Sequence, residues 1–262
     1  MLRWSRPTEP TVWTDDPTGI TAHRPWPLPR SPWVMAQRWN DLLFAHWPLP
    51  AEVVRARVPA TLPLDLYEGQ AWISVTPFVL THLRARGLPP FPGISEFPEL
   101  NVRTYVTLHD KAGVYFFSLD ADNAIAVAGA RLSYDLPYCR ATMSAERSRD
   151  GSIHYQSRRT ETDAGPAEFA ARYRPVGDVF QASPGTLDHW LSERYCLYTV
   201  DADGRVHRAE IHHLPWPLQP AEAEIERNTM GEAAGFALAP APHHCTFASR
   251  LDIVAWPPER AG

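Results

Sequence analysis

Twenty-seven prolines scattered through 262 residues constrain this chain more than any other feature. Proline fixes φ and lacks a backbone N–H, so it gathers at strand edges, bulges and corners. Eleven per cent aromatic residues, ten of them Trp, accompany the prolines. Together they point to many short strands, tight corners and an aromatic-lined interior. The 44% apolar and 21% charged residues exclude a disordered or coiled-coil chain. The net charge of −5 gives no concentrated basic surface for a nucleic-acid partner. No apolar run approaches the roughly 20 residues that span a bilayer, and no signal-peptide core opens the sequence, so no membrane partner and a cytoplasmic location are expected. Cys139, Cys196 and Cys245 are odd in number and widely spaced, unlike a disulfide framework or a zinc ligand set.

Residues 1–32 lack periodicity and read as an extended arm. Trp4, Trp13 and Trp26 in it need a surface, either the parent domain or a partner subunit, and the second choice offers a route to a homo-oligomer. Residues 33–262 read as one domain. A short helix is expected from Pro50 to Val58, and a strand from Ala71 to Val79 whose Pro77 signals a bulge or an edge. Leu100–Leu108 and Val114–Leu119 form a hairpin about the turn 109–113, which puts Lys111 at its tip. The Ala-rich run 121–132 reads as a helix, with β-branched Ile125 and Val127 leaving a strand open. Strands are expected at Cys139–Ala145, Ser152–Arg158 and Ala167–Tyr173. A helix opened by Ser183 and Pro184 should end near Arg194, followed by a hairpin of Tyr195–Val200 with Arg205–His213. The Glu- and Ala-rich segment Ala221–Glu232 reads as a helix, and Thr246–Trp256 as a closing strand. The sum is an α+β domain, mainly antiparallel β.

Side chains alternate across a strand, so Glu99, Asn101, Arg103 and Tyr105 share one face and Leu100, Val102, Thr104 and Val106 the other. The polar face meets either water or a polar cavity inside a barrel or sandwich; alternation alone allows both. Histidines occur as neighbours, His212-His213 and His243-His244, but neighbours on a strand point oppositely, and no HExxH or CxxC accompanies them. No metal site and no cofactor is therefore expected. In the second hairpin His207 and His213 share a face with Ile211, so each is either a hydrogen-bonded structural imidazole, the commoner role, or a pocket acid or base. Glu193, Arg194 and Tyr195 stand at a helix-to-strand junction, where a local Glu193–Arg194 ion pair competes with a ligand-binding role. His46, in the apolar run LLFAHWPLP, is either a hydrogen-bonded core imidazole or a ligand contact. No GxSxG, Walker A or GxGxxG element is present.

Several linear blocks, QRWNDLLFAHWPLP, FPELNVRTYV, GVYFFSLDADNAIAVAGAR, LPYCRA, PGTLDHWLSERYCLYT and IHHLPWPLQPAEAEIERNTM, resemble the YqjF-like family of uncharacterised bacterial proteins. They run in order from Met35 to Trp256. That family in turn is similar to acetoacetate decarboxylase, which implies an antiparallel barrel or sandwich enclosing a small-molecule cavity. The decarboxylase pattern sets an Arg six residues before a Pro that two lysines follow, the first being the Schiff-base amine. Arg131 and Pro137 match, but Tyr138 and Cys139 stand in the lysine positions. The sole lysine of the sequence, Lys111, lies at a predicted exposed tip. A Schiff base needs a desolvated amine, so acetoacetate decarboxylation is not expected.

What the resemblance implies is a cavity with a different lining. Glu99 matches the decarboxylase's inward glutamate and would serve as general acid or base. Tyr138 would donate a hydrogen bond from the place of the amine, with Arg103 or Arg131 holding a carboxylate. His46, Glu193, Tyr195 and His213 complete the expected ligand contacts. Two functions fit: acid/base chemistry on a small keto or carboxylate metabolite, as a lyase, isomerase or hydrolase without Schiff base, or a ligand-binding or sensing module of the same fold. A metal site on His46, His207 or His213 ranks behind both.

Overall fold

A computed structural model describes residues 16–161 and 163–261. Strand β1 (Met35–Leu49) leads through helix α1 (Ala51–Arg55) to β2 (Ala71–Ala85), which pairs antiparallel with both β1 and β3 (Phe97–Leu108). Pro77 lies in the middle of β2, between two neighbours. It is tolerated because β1 bulges opposite it: the register jumps between Asn40 and Ala45, and Asp41 adopts φ 51°. No β1 partner is thus required of the missing N–H.

Strand β4 (Lys111–Ala121) returns from β3 through His109 and Asp110, both at positive φ, 51° and 58°. Such a two-residue turn matches the twist of the flanking strands. The turn is shorter than expected, and Lys111 is no exposed tip. It pairs with Leu108, and its Nζ lies 2.6 Å from Glu210 Oε1. Helix α2 (Ala124–Tyr134) starts at Asn123, whose side chain accepts from the Ala126 N–H.

Next come β5 (Tyr138–Arg147), β6 (Ile153–Arg159) and β7 (Glu168–Pro175). Helix α3 spans Leu187–Ser192, later than Ser183 predicted, because the Thr186 side chain supplies its cap. Strands β8 (Cys196–Val200) and β9 (Val206–His213) form the second hairpin. The segment expected as a helix at Ala221–Glu232 is instead strand β10 (Leu218–Asn228), with only a short α4 (Met230–Ala233) after it. Ala221, Ala223 and Ile225 pack on the core while the intervening glutamates are more exposed. That period of two overrides the helix propensity of Ala and Glu. Strands β11 (His244–Ala255) and β12 (Glu259–Arg260) end the described chain.

The twelve strands among the described residues belong to one mixed sheet, which two extra pairings close into a barrel, β9 with β11 and β4 with β5. The first pairing completes a ring of β1, β2, β3, β4, β8, β9 and β11. The second carries the sheet round through β5, β6, β7 and β10. Strand β4 runs parallel to both β5 and β8. Gly113 sits where β4 meets β8: a Cβ there would fall 2.7 Å from the Cys196 carbonyl oxygen and 2.8 Å from Tyr198 Cε2. Backbone cannot yield cheaply, so Gly113→Ala is expected to cost about 1–3 kcal/mol in chemical denaturation.

The larger ring is filled by an apolar core that includes Leu100, Val102, Tyr155, Phe169 and Phe247. The described part of the arm lies on its own domain. Arg24 Nη2 and Trp26 Nε1 donate to Glu210 Oε2 at 2.6 and 2.9 Å. Trp4 and Trp13 fall outside the described residues. Among the described residues no helix is long and apolar enough to cross a membrane.

Candidate functional site

The alternation along β3 sorts its side chains between two interiors. Leu100 and Val102 join the packed core, whereas Glu99, Asn101 and Arg103 line a cavity of about 320 Å³ inside the smaller ring. The volume lies at the lower end of sites that enclose small organic ligands. Helix α2 roofs it: Ile125, Ala126, Gly129, Ala130, Ser133 and Tyr134 all face the cavity. Steps of one and four residues place them on one helical stripe. Apolar side chains such as Trp39, Phe78, Leu80, Phe97 and Trp216 form much of the remaining wall.

Glu99 is 3% exposed, and its Oε2 accepts a 3.0 Å hydrogen bond from the Tyr138 hydroxyl. Burial pushes its carboxyl up to about 8, against the smaller opposing effects of hydrogen bonds from Tyr138 and Asn101. At neutral pH the group is therefore a neutral acid. Burial, then the adjacent Glu99, likewise holds the Tyr138 phenol well above its usual range. Tyr138 arrives at the head of β5, where Leu119↔Tyr138 begins the short parallel seam with β4.

Arg103 is 8% exposed and, among the described residues, makes no ion pair with a carboxylate and has no hydrogen-bond partner at Nε. Its guanidinium carbon stands 5.1 Å from the centre of the Phe44 ring and 5.9 Å from that of Tyr105. Arg194 shares the cavity wall and the Tyr105 ring, at 4.9 Å. The local pair expected between Glu193 and Arg194 does not form. Arg194 Nη1 reaches Asp65 Oδ2 at 2.5 Å and Nε the Trp190 carbonyl at 2.6 Å, leaving Nη2 unpartnered. Burial lowers the Arg194 pKa, Asp65 opposes that, and the nearby Arg103 charge lowers it further.

His213 also lines the cavity, buried, with its ring nitrogens on the carbonyls of Leu214 and Arg194. Four other candidates stand away from the lining. Glu193 accepts from the Tyr195 hydroxyl and the Trp216 N–H, and Tyr195 stacks on His213 at 4.6 Å. His46 bonds Tyr105 at 2.9 Å and is held well below its usual pKa, by burial first and by Arg103 next. Arg131 was expected to clamp a carboxylate. It instead donates to the Tyr138 carbonyl at 2.7 Å and to Glu161 at 3.1 Å, in a separate recess. It thus tethers the strand that carries Tyr138. His207 pairs with Asp201. Among the described residues no group of three or more His, Cys, Asp or Glu comes together as a metal set.

Asn101 and Arg194, both weighed in the sequence but not carried into the expected site, also line the cavity. Asn101 was legible from its shared face with Glu99, and its buried Oδ1 lacks a partner. Arg194 was masked by the adjacent Glu193, since its actual partner Asp65 is remote in sequence.

The comparisons agree with this architecture. The model of the DUF2071 family, described as an uncharacterized conserved protein, matches residues 36–252. The uncharacterized protein YqjF of Bacillus subtilis (strain 168) is 48% identical over 230 residues, covering 88% of this chain and 93% of that protein. An acetoacetate decarboxylase-like enzyme from Sphingomonas wittichii RW1 superposes with a TM-score of 0.59 at 13% identity, covering 88% of this chain and 94% of its own. The enduracididine biosynthesis enzyme MppR, complexed with pyruvate, gives 0.58 at 11% identity, covering 90% and 92%. At such identities these two show the fold alone.

Proposed function

Since the chain belongs to the DUF2071 family of uncharacterized conserved proteins, whose shared fold dictates no activity, we propose from the cavity itself that it performs acid/base chemistry on a small keto or carboxylate metabolite, without a Schiff base. One observation carries the reading: Glu99, protonated at neutral pH, faces the cavity in a hydrogen bond with Tyr138. Tyr138 engages Oε2, so the acid proton rides on the other oxygen. From there it passes to a carbonyl or a departing hydroxyl oxygen of a bound ligand, and the carboxylate so formed takes a proton from the carbon beside the carbonyl, which returns Glu99 to its acid form as the enol, or the alkene and water, results. Tyr138 fixes the carboxyl's orientation and, on moving to the ligand, steadies an enolate oxygen. Arg103 on the same face holds the ligand's anionic end. The only lysine is engaged by Glu210 outside the cavity lining, which supports chemistry without an iminium. The pyruvate bound by MppR is in keeping with a keto-acid ligand on this fold.

The test is exchange of the protons beside the carbonyl of 2-oxobutanoate in deuterium oxide, followed by NMR. Glu99→Gln keeps the shape and removes the acid, so exchange should fall by about 10²-fold or more while the ligand still binds. Binding with no exchange by the unsubstituted protein across a panel of keto acids would replace this reading with the ligand-sensing one.

A further inference from the structure

We propose that the cavity recognises an amphipathic monocarboxylate, its carboxylate held between Arg103 and Arg194 and an aromatic or branched apolar body lying under helix α2. The proposal rests on the cavity being the ligand site, as argued above, and adds the ligand's class and the role of Arg194. Buried donors without partners carry a desolvation cost that a ligand acceptor relieves. Arg103 Nε and Arg194 Nη2 are two such donors, on side chains 8% and 5% exposed, beside one aromatic ring, Tyr105. Guanidinium groups suit a carboxylate because their N–H donors match its two oxygens.

Charge decides the valence. The acidic and basic side chains on the lining, apart from the buried imidazole of His213, are Glu99, Arg103 and Arg194. Asp65 neutralises Arg194, and Glu99 holds its proton at neutral pH. One uncompensated positive charge remains, on Arg103, and it fits a monoanion. A dianion would leave a negative charge in a low-dielectric wall beside an acid, which is costly. One wall of the enclosure is apolar and suits a hydrocarbon body better than a sugar or polyol. Trp39, Phe78, Leu83, Ile94 and Phe97 offer no hydrogen bond except through the Trp39 indole, which is already engaged by Gln37. The α2 stripe adds Ala126, Gly129 and Ala130, small residues that leave room for a ring or branched chain.

The experiment is calorimetric titration of the full chain at pH 7 with 3-phenylpropanoate, its neutral amide, acetate and the dianion phenylsuccinate. The expected result is that 3-phenylpropanoate binds at least about tenfold tighter than each of the others. Arg103→Gln should erase the advantage over the amide, and Arg194→Lys, which keeps the pair with Asp65, should reduce it. Equal affinity for acid and amide, or tighter binding of acetate or the dianion, overturns the proposal. These outcomes are separate from the acid/base reading, because they compare ligand affinities alone, whereas that reading stands or falls on proton exchange in deuterium oxide.

Discussion

Between pH 5 and pH 8 the Glu99→Gln protein is expected to gain about 3.5 kcal/mol of stability relative to its parent, measured by chemical denaturation across that range. In the unfolded chain this carboxyl loses its proton near 4.5, whereas burial pushes it up to about 8 in the folded protein. Between those values the folded state keeps a proton that the unfolded state has released. Stability therefore falls as pH rises, by about 1.4 kcal/mol per unit, and levels off above about 8. Gln stays neutral throughout and accepts the same hydrogen bond from Tyr138, so the variant lacks this slope. Other ionisable groups cancel in the difference between the two proteins. Parallel pH profiles would mean that Glu99 ionises as a solvated carboxylate, and the neutral acid on which the proposed chemistry rests would be lost with it.

Arg159→Met should destabilise the fold by about 3–5 kcal/mol, the usual cost of leaving a buried charge without its partner. Arg159 Nε and Nη2 clamp the two Asp120 oxygens at 2.9 and 2.7 Å, with side chains only 3% and 0% exposed. The pair ties the end of β4 to the end of β6 across the β4–β5 seam, which has just three register pairs, Leu119↔Tyr138 to Ala121↔Arg140. Because that seam delivers Tyr138 to Glu99, the same substitution should also weaken the Tyr138–Glu99 contact. The double variant Asp120→Leu with Arg159→Met removes both charges and should recover most of the lost stability in thermal or urea unfolding. If the double variant is no better than the single one, packing rather than the orphaned carboxylate accounts for the loss.

Local chemistry was readable where period and turn residues agreed. The β3–β4 hairpin, the Asn123-capped α2, the β8–β9 hairpin and the split of β3 into an apolar and a polar face all follow from alternation and caps. That Tyr138 stands where acetoacetate decarboxylase has a lysine was an expectation from the family resemblance, and with it came the expectation of chemistry without an iminium. Reading failed at β10, where strong helix formers follow a strand period, and at Lys111, whose partner Glu210 lies far along the chain.

What the sequence determined by itself was which residues share a strand face, because that depends on near neighbours. The tertiary structure alone decided that the polar face of β3 encloses a cavity instead of meeting water, that Arg131 points away from it, and that Arg194 with Asp65 joins Arg103. These depend on the sheet closing on itself at β9–β11 and β4–β5, contacts between distant residues that no local pattern encodes.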